Sequence, residues 1–269
     1  MTIETSSKYR SAELTPEQNN EYRQRVLGVV MRWSAVDKKD KTEGRNRKVE
    51  RILLSIVPES NLEHTDDMID ITYEMEDRCP NLTKAVNMDL VRPIIYFHDG
   101  GERLAGDVLA VQNDCKDTKE IKRDREQRAV NALTSYRYIK DQEKGQAIRD
   151  IYARYDNCRP EEGLGLDDKE ALLTHLIDKV QAVRFGINNV VRQQPDQTNN
   201  LYFDPKFSGN NILRFTLPLL DALPDDASMR ELIYFVYEEF EQFKQDFPEV
   251  AANGRQILIE YARNHRLEL

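Results

Sequence analysis

His98 and Asp99 are adjacent residues that can both bind a metal ion, and they lie at the end of an apolar run. An imidazole nitrogen and a carboxylate oxygen suit a divalent cation of hard to borderline character. Two further carboxylates, Glu102 and Asp107, follow closely in the chain. Because the chain holds only four histidines, the earlier His64 carries weight as a second imidazole. These residue types indicate a metal site with carboxylates in reach for acid–base chemistry.

Asp178 is the candidate for a further ligand. It lies in the segment 176–183, in which most residues are apolar. Burial of an unpaired carboxylate is unfavourable, so Asp178 needs a partner if this segment is buried. A metal ion is one such partner, and an ion pair with the neighbouring Lys179 is the alternative.

The elements that must position these residues are predicted to be helices, because glycine is scarce and alternating β-branched runs are nearly absent. Two helices are expected to begin near Thr15 and at 167–170. The other predicted helices cover 47–57, the segment from Ser60 or Asn61 past Met75, and about 82–99, 119–138 and 140–155. A capping box at 228–231 precedes an apolar stripe from Leu232 to Phe247, which predicts core or a subunit interface. The charged segment 37–48 predicts a flexible connection, and 188–211, rich in Asn, Gln and Pro, predicts a long loop.

Composition limits the class of protein. A chain of 269 residues, with 39% hydrophobic and 32% charged residues, can bury the core of one large domain. The net charge of −9 disfavours a general binder of nucleic acid polymers or anionic membranes. Three scattered cysteines predict neither a disulfide framework nor a cysteine metal site, which favours a cytoplasmic setting. We expect no signal peptide, since the first residues are polar, and no transmembrane helix.

The motifs of this chain, taken in order, resemble the HD superfamily of metal-dependent phosphohydrolases, and within it the branch of bacterial 5'-deoxynucleotidases. The matching residues are Pro58-Glu59-Ser60 with Glu63-His64, His98-Asp99 with Glu102, Gly106-Asp107, Lys122 with Glu126 and Ala129, Ile151-Tyr152 with Tyr155, Pro160-Glu161 and Ile177-Asp178-Lys179. The resemblance covers about residues 47–190. Gly100-Gly101 departs from the pattern, because bulkier residues are often found there.

The resemblance implies an all-α helical bundle that binds one divalent ion, either Mn, Co, Fe, Mg or Zn. The implied ligands are His64, His98, Asp99 and Asp178. A single ion is favoured because His175 is the only histidine between His98 and Asp178. His175 itself is expected in the core or on the surface rather than beside the metal.

The resemblance also implies roles for four further residues. Glu102 would orient or deprotonate the attacking water, and Asp107 would lie towards the leaving group. Arg51 would bind the substrate phosphate, with Arg32 and Lys48 as alternatives. Lys122 would either complete the phosphate pocket or face solvent.

The expected function is therefore hydrolysis of a nucleotide phosphate, specifically release of phosphate from deoxynucleoside 5'-monophosphates by a water activated at the metal. The alternatives are an HD hydrolase of a larger nucleotide, such as a dNTP or an alarmone, and a non-catalytic helical sensor or scaffold. The expected organisation is an N-terminal helix and charged linker over 1–46, the HD core over 47–190, and a loop with C-terminal helices over 191–269 that pack on this core. The expected partner is a small-molecule nucleotide, and a homodimer is possible.

Overall fold

The computed structural model describes residues 61–102, 116–191 and 205–268. These residues form the helices α1 (Asn61–Arg78), α2 (Pro80–Ala85), α3 (Met88–Phe97), α4 (Lys116–Leu133), α5 (Gln142–Asn157), α6 (Lys169–Phe185), α7 (Pro205–Ala222), α8 (Asp226–Phe243) and α9 (Pro248–Asn264). A short 3₁₀ turn (Pro160–Glu162) precedes α6, and a π-helical turn (Gly186–Val191) follows it. Within the described ranges there is no β-strand, and the only strand-like pairing is an isolated bridge between Arg159 and Leu164. The predicted all-α class is confirmed.

Helix α6 begins where local capping chemistry places its start. The Asp168 side chain accepts a hydrogen bond from the backbone N–H of Ala171. This bond satisfies one of the donors that the first turn of a helix leaves without an intrahelical partner. The predicted opening at 167–170 is confirmed.

The single helix predicted over 82–99 is wrong, because the structure divides it into α2 and α3. Val86 is extended, with φ −115° and ψ 136°, and ends α2. Asn87 then starts α3: its side-chain oxygen accepts from the N–H of Asp89, and its carbonyl accepts from the N–H groups of Leu90 and Val91. An asparagine is well suited to this position, because its short side chain caps a first turn.

Two further predictions are corrected. The loop predicted over 188–211 is wrong at both ends, since the π-helical turn extends to Val191 and α7 already begins at Pro205. The capping box at 228–231 is wrong as well, because α8 is capped by Asp225, whose side chain accepts from the N–H of Ser228. The predicted first helix near Thr15, the segment 37–48 and the helix over 47–57 lie outside the described residues.

The chain divides into two compact units. The first comprises 1–67 and 93–156, and its described part contains α4 and α5. The second comprises 68–92 and 157–269. In the second unit, α7 packs on α6 and α9, and α8 packs on α9 and α2. The apolar stripe of α8 is core rather than surface, because Leu232, Val236, Phe240 and Phe243 are buried.

No helix in the described ranges combines the length and the apolar character that crossing a bilayer requires.

Candidate metal centre

Two buried imidazoles are the first component of the site. His64 lies near the start of α1 and His98 directly after α3. Their relative exposures are 0% and 4%, and their ring centroids are 5.4 Å apart. Two histidines buried at this separation could both contact one ion, and their roles as ligands stay a prediction.

The hydrogen bond of His98 determines which ring nitrogen faces the site. Nδ1 lies 2.7 Å from the backbone carbonyl oxygen of Ile95. Because a carbonyl can only accept, Nδ1 carries the proton and donates it, which leaves Nε2 as the nitrogen with the lone pair in the neutral ring. Metal-binding histidines are commonly oriented by this type of bond.

Asp99 lies close enough to His98 for the two side chains to interact electrostatically. Its Oδ2 atom lies 3.2 Å from Nε2 of His98. Two atoms that present lone pairs to each other at this distance repel unless a cation, either a proton or a metal ion, interacts with both. The pair is therefore an arrangement that a bound cation would stabilise.

Asp178 is buried on α6, with a relative exposure of 4%. Its neighbours Ile177 and Val180 on the same helix are fully buried. Oδ2 of Asp178 lies 2.5 Å from Nζ of Lys179. The ion pair that the sequence offered as an alternative partner is therefore present, and it uses one of the two carboxylate oxygens.

Within the first unit, His64 and His98 place two imidazoles close enough together to share one divalent ion. Imidazole nitrogens combined with carboxylate oxygens fit Mn, Fe, Co or Zn by ligand chemistry. The roles of Asp99 and Asp178 as further ligands stay predictions.

Glu102 lies one turn beyond Asp99 and is also buried. Its relative exposure is 4%, and its backbone N–H donates to the carbonyl of Asp99 at 3.0 Å. Nζ of Lys122, on α4, lies 3.7 Å from Oε1 of Glu102 and 3.4 Å from Oε1 of Glu126. Lys122 thus contacts two carboxylates, and its role in binding phosphate stays a prediction.

Two tyrosines of α5 lie beside these residues, although the sequence interpretation assigned them no role. The ring of Tyr155 meets that of His98 edge to face, with centroids 5.1 Å apart. Tyr152 is buried, and burial raises the pKa of its hydroxyl, with a further contribution from carboxylates that include Glu126 and Asp99. The three-residue spacing of the two tyrosines, which places both on one helical face, was the available signal.

The remaining predicted residues are either elsewhere or outside the described ranges. The half-buried ring of His175 stacks on Phe215, with centroids 4.5 Å apart and planes 7° apart. Arg51 and Asp107, with the alternatives Arg32 and Lys48, lie outside the described residues.

Comparison with known proteins completes the assignment. The family model described as HD domain matches residues 39–209, which is more than half of the chain. No curated protein and no solved structure matches significantly. HD domains bind divalent metals and are generally hydrolytic, which supports a metal-dependent phosphohydrolase. The chain belongs to the HD domain family.

Proposed function

We propose that this protein is a metal-dependent phosphohydrolase that releases phosphate from deoxynucleoside 5'-monophosphates. The observation that carries the proposal is the buried pair of His64 and His98, whose ring centroids lie 5.4 Å apart. The buried carboxylate of Glu102, one turn beyond Asp99, supports the hydrolytic part of the proposal.

The proposed ligands are His64, His98, Asp99 and Asp178. When bound, a divalent ion would polarise a phosphoryl group and lower the pKa of a water molecule. The bond from Nδ1 of His98 to the carbonyl of Ile95 holds the ring so that Nε2 can act as the ligand atom.

Glu102 is the proposed acid–base group. A carboxylate can accept the proton of the attacking water and orient its lone pair towards phosphorus. The ammonium of Lys122 lies 3.7 Å from Oε1 of this carboxylate. We propose Asp107 as the group near the leaving oxygen, and Arg51 as the guanidinium that binds the phosphate in a bidentate manner.

Nucleotide specificity rests on the order of motifs from Glu63-His64 to Asp178, which resembles that of the 5'-deoxynucleotidases. A monophosphate requires fewer cationic partners than a triphosphate, in keeping with a chain of net charge −9.

The test is phosphate release from a panel of nucleoside mono-, di- and triphosphates, each with Mn²⁺, Co²⁺, Mg²⁺ or Zn²⁺, combined with metal analysis of the purified protein. We expect turnover of deoxynucleoside monophosphates and about one bound ion per chain. His98→Ala should abolish both, while the helical circular-dichroism spectrum persists.

His265→Ala is the matched control, because His265 is exposed and its ring stacks on Tyr261. This variant should keep full metal content and turnover. Release of triphosphate or pyrophosphate alone would refute the monophosphatase specificity. No phosphate release with any metal, together with metal-free protein, would refute the enzyme proposal and favour a helical sensor or scaffold.

A further inference from the structure

Gly101 lies unusually close to the backbone of helix α4. A Cβ atom added at Gly101 would lie 2.8 Å from both Cβ and the carbonyl oxygen of Glu126, and 3.0 Å from its Cα. The carbonyl and Cα belong to the backbone of a helix, which cannot rotate away as the end of a long side chain can. Any larger residue at position 101 therefore requires α4 or the His98–Glu102 segment to move.

The neighbouring glycine is different. A Cβ atom added at Gly100 would meet only the carbonyl group of Phe97, whose oxygen is 3.0 Å away, and no atom of α4 within 4 Å. The close approach to α4 is thus specific to Gly101, the residue directly before Glu102.

This close approach places Lys122 beside Glu102. Lys122 is one turn before Glu126 on α4, so the contact at Glu126 also determines how near the ammonium lies to the carboxylate. The side chains of Lys122, Glu102 and Glu126 are 21%, 6% and 13% exposed. An ion pair that is this sheltered from water is screened less than a surface pair.

We propose that Gly101 and Lys122 are positioning residues. Because residue 101 has no side chain, α4 can pack closely against it, and Lys122 then holds the carboxylate of Glu102 in place instead of binding substrate phosphate. The inference deepens the proposed function and rests on it, because Glu102 is the proposed acid–base group. It also gives a physical reason for the glycine at position 101.

The kinetic test separates kcat from KM in four variants. Gly101→Ala and Lys122→Gln should lower kcat by about 10- to 100-fold with unchanged KM, since a misplacement of about 1 Å can cost about 100-fold. Lys122→Arg should recover most of the loss, because it keeps the positive charge. Arg128→Gln is the matched control, since its partner on α4 is the exposed Asp124, and it should leave both constants unchanged.

Two kinetic results would overturn the inference. If Lys122→Gln raises KM and spares kcat, Lys122 binds the substrate phosphate. If Gly101→Ala folds and keeps the wild-type kcat, the close approach of α4 has no role in positioning Glu102.

Thermal unfolding tests the contact between Lys122 and Glu102 and requires no enzyme turnover. It therefore separates this inference from the proposed function. Glu102→Gln and Lys122→Gln should shift Tm non-additively in the wild-type background and additively in the Gly101→Ala background. If Gly101→Ala does not fold, the double-mutant cycle of Glu102→Gln and Lys122→Gln in the wild-type background tests the inference by itself. Additive shifts in the wild-type background would refute the inference, whereas an inactive wild type with non-additive shifts would refute only the proposed function.

Discussion

Arg184, at the end of α6, connects three helices through one guanidinium. Its Nη1 and Nη2 atoms lie 2.8 Å and 3.2 Å from the two carboxylate oxygens of Glu74 on α1. Its Nε atom lies 2.9 Å from Oε2 of Glu239 on α8, and Nη2 also donates to that carboxylate. Both contacts are bidentate, which is the strongest geometry for an arginine–carboxylate pair. Because α6 also carries Asp178, this network anchors the helix of a proposed metal ligand.

Replacement of Arg184 by Met should destabilise the protein by about 3–5 kcal/mol. Met keeps much of the apolar stem, but it leaves the carboxylate of Glu239, which is 0% exposed, without its guanidinium partner. Removal of one member of a buried ion pair costs about 3–5 kcal/mol, because the other charge stays buried and uncompensated. At an m-value of about 3 kcal/mol/M, the midpoint of urea unfolding should fall by about 1–1.7 M.

Equilibrium urea unfolding followed by circular dichroism measures this effect. Arg128→Met is the control, since Arg128 and its partner Asp124 are 77% and 57% exposed, and its loss should cost about 0–1 kcal/mol. A second substitution, Glu239→Gln, should recover part of the stability lost in the Arg184 variant, because a buried amide costs less than an unpaired carboxylate. If Arg184→Met costs no more than Arg128→Met, the buried-charge reasoning is wrong.

Three further predictions concern pH, thiol reactivity and metal binding. Burial raises the pKa of Glu74, but hydrogen bonds and charges from two arginines outweigh it and hold the pKa below the usual 4.5. The stability from these contacts should be present above about pH 4.5 and be lost as the pH falls below it. In the Glu74→Gln variant, Tm should therefore decrease less steeply as the pH falls below about 4.5. Burial raises the pKa of Cys79 to about 11 and that of Cys158 to about 12. In a Cys115→Ser variant, neither thiol should therefore react with a thiol reagent at pH 8 until urea unfolds the chain. Rapid labelling of the folded protein would contradict this. Saturating Mn²⁺ or Zn²⁺ should raise Tm, because a free ion concentration of 100 times Kd adds about 2.7 kcal/mol to the free energy of unfolding. The His98→Ala variant should lose this shift in Tm. An equal shift in that variant would show that the ion binds elsewhere.

Helix starts were predictable where the capping group is local in sequence. The start of α6 depends on Asp168 and an N–H group three residues away, and the sequence contains both partners. The division between α2 and α3 combines the local cap of Asn87 with contacts from distant residues. The N–H of Asn87 donates to Glu170 at 3.1 Å, and Nζ of Lys169 donates to the carbonyl of Ala85 at 2.6 Å. Because these partners lie on another helix, the periodicity of residues 82–99 could not reveal the division.

The failed capping box has the same cause. The carboxylate of Glu231 accepts from the backbone N–H groups of Asn81 and Leu82, at 2.7 and 2.9 Å, and so caps α2 instead of its own helix. Asp225 caps α8 in its place. The sequence pattern placed Glu231 in a capping box of its own helix, but packing makes it a cap of α2 instead.

The chemical types at the site and their order could be read from the sequence alone: two imidazoles, and carboxylates at 99, 102 and 178, within an all-helical chain. These follow from residue identity and from helical periodicity, which are local. Only folding brings the rings of His64 and His98 to a centroid distance of 5.4 Å, and brings α4 close enough to Gly101 for Lys122 to lie beside Glu102. Such distances depend on how helices far apart in sequence pack, and packing is set by the combined shape of many side chains rather than by any one motif.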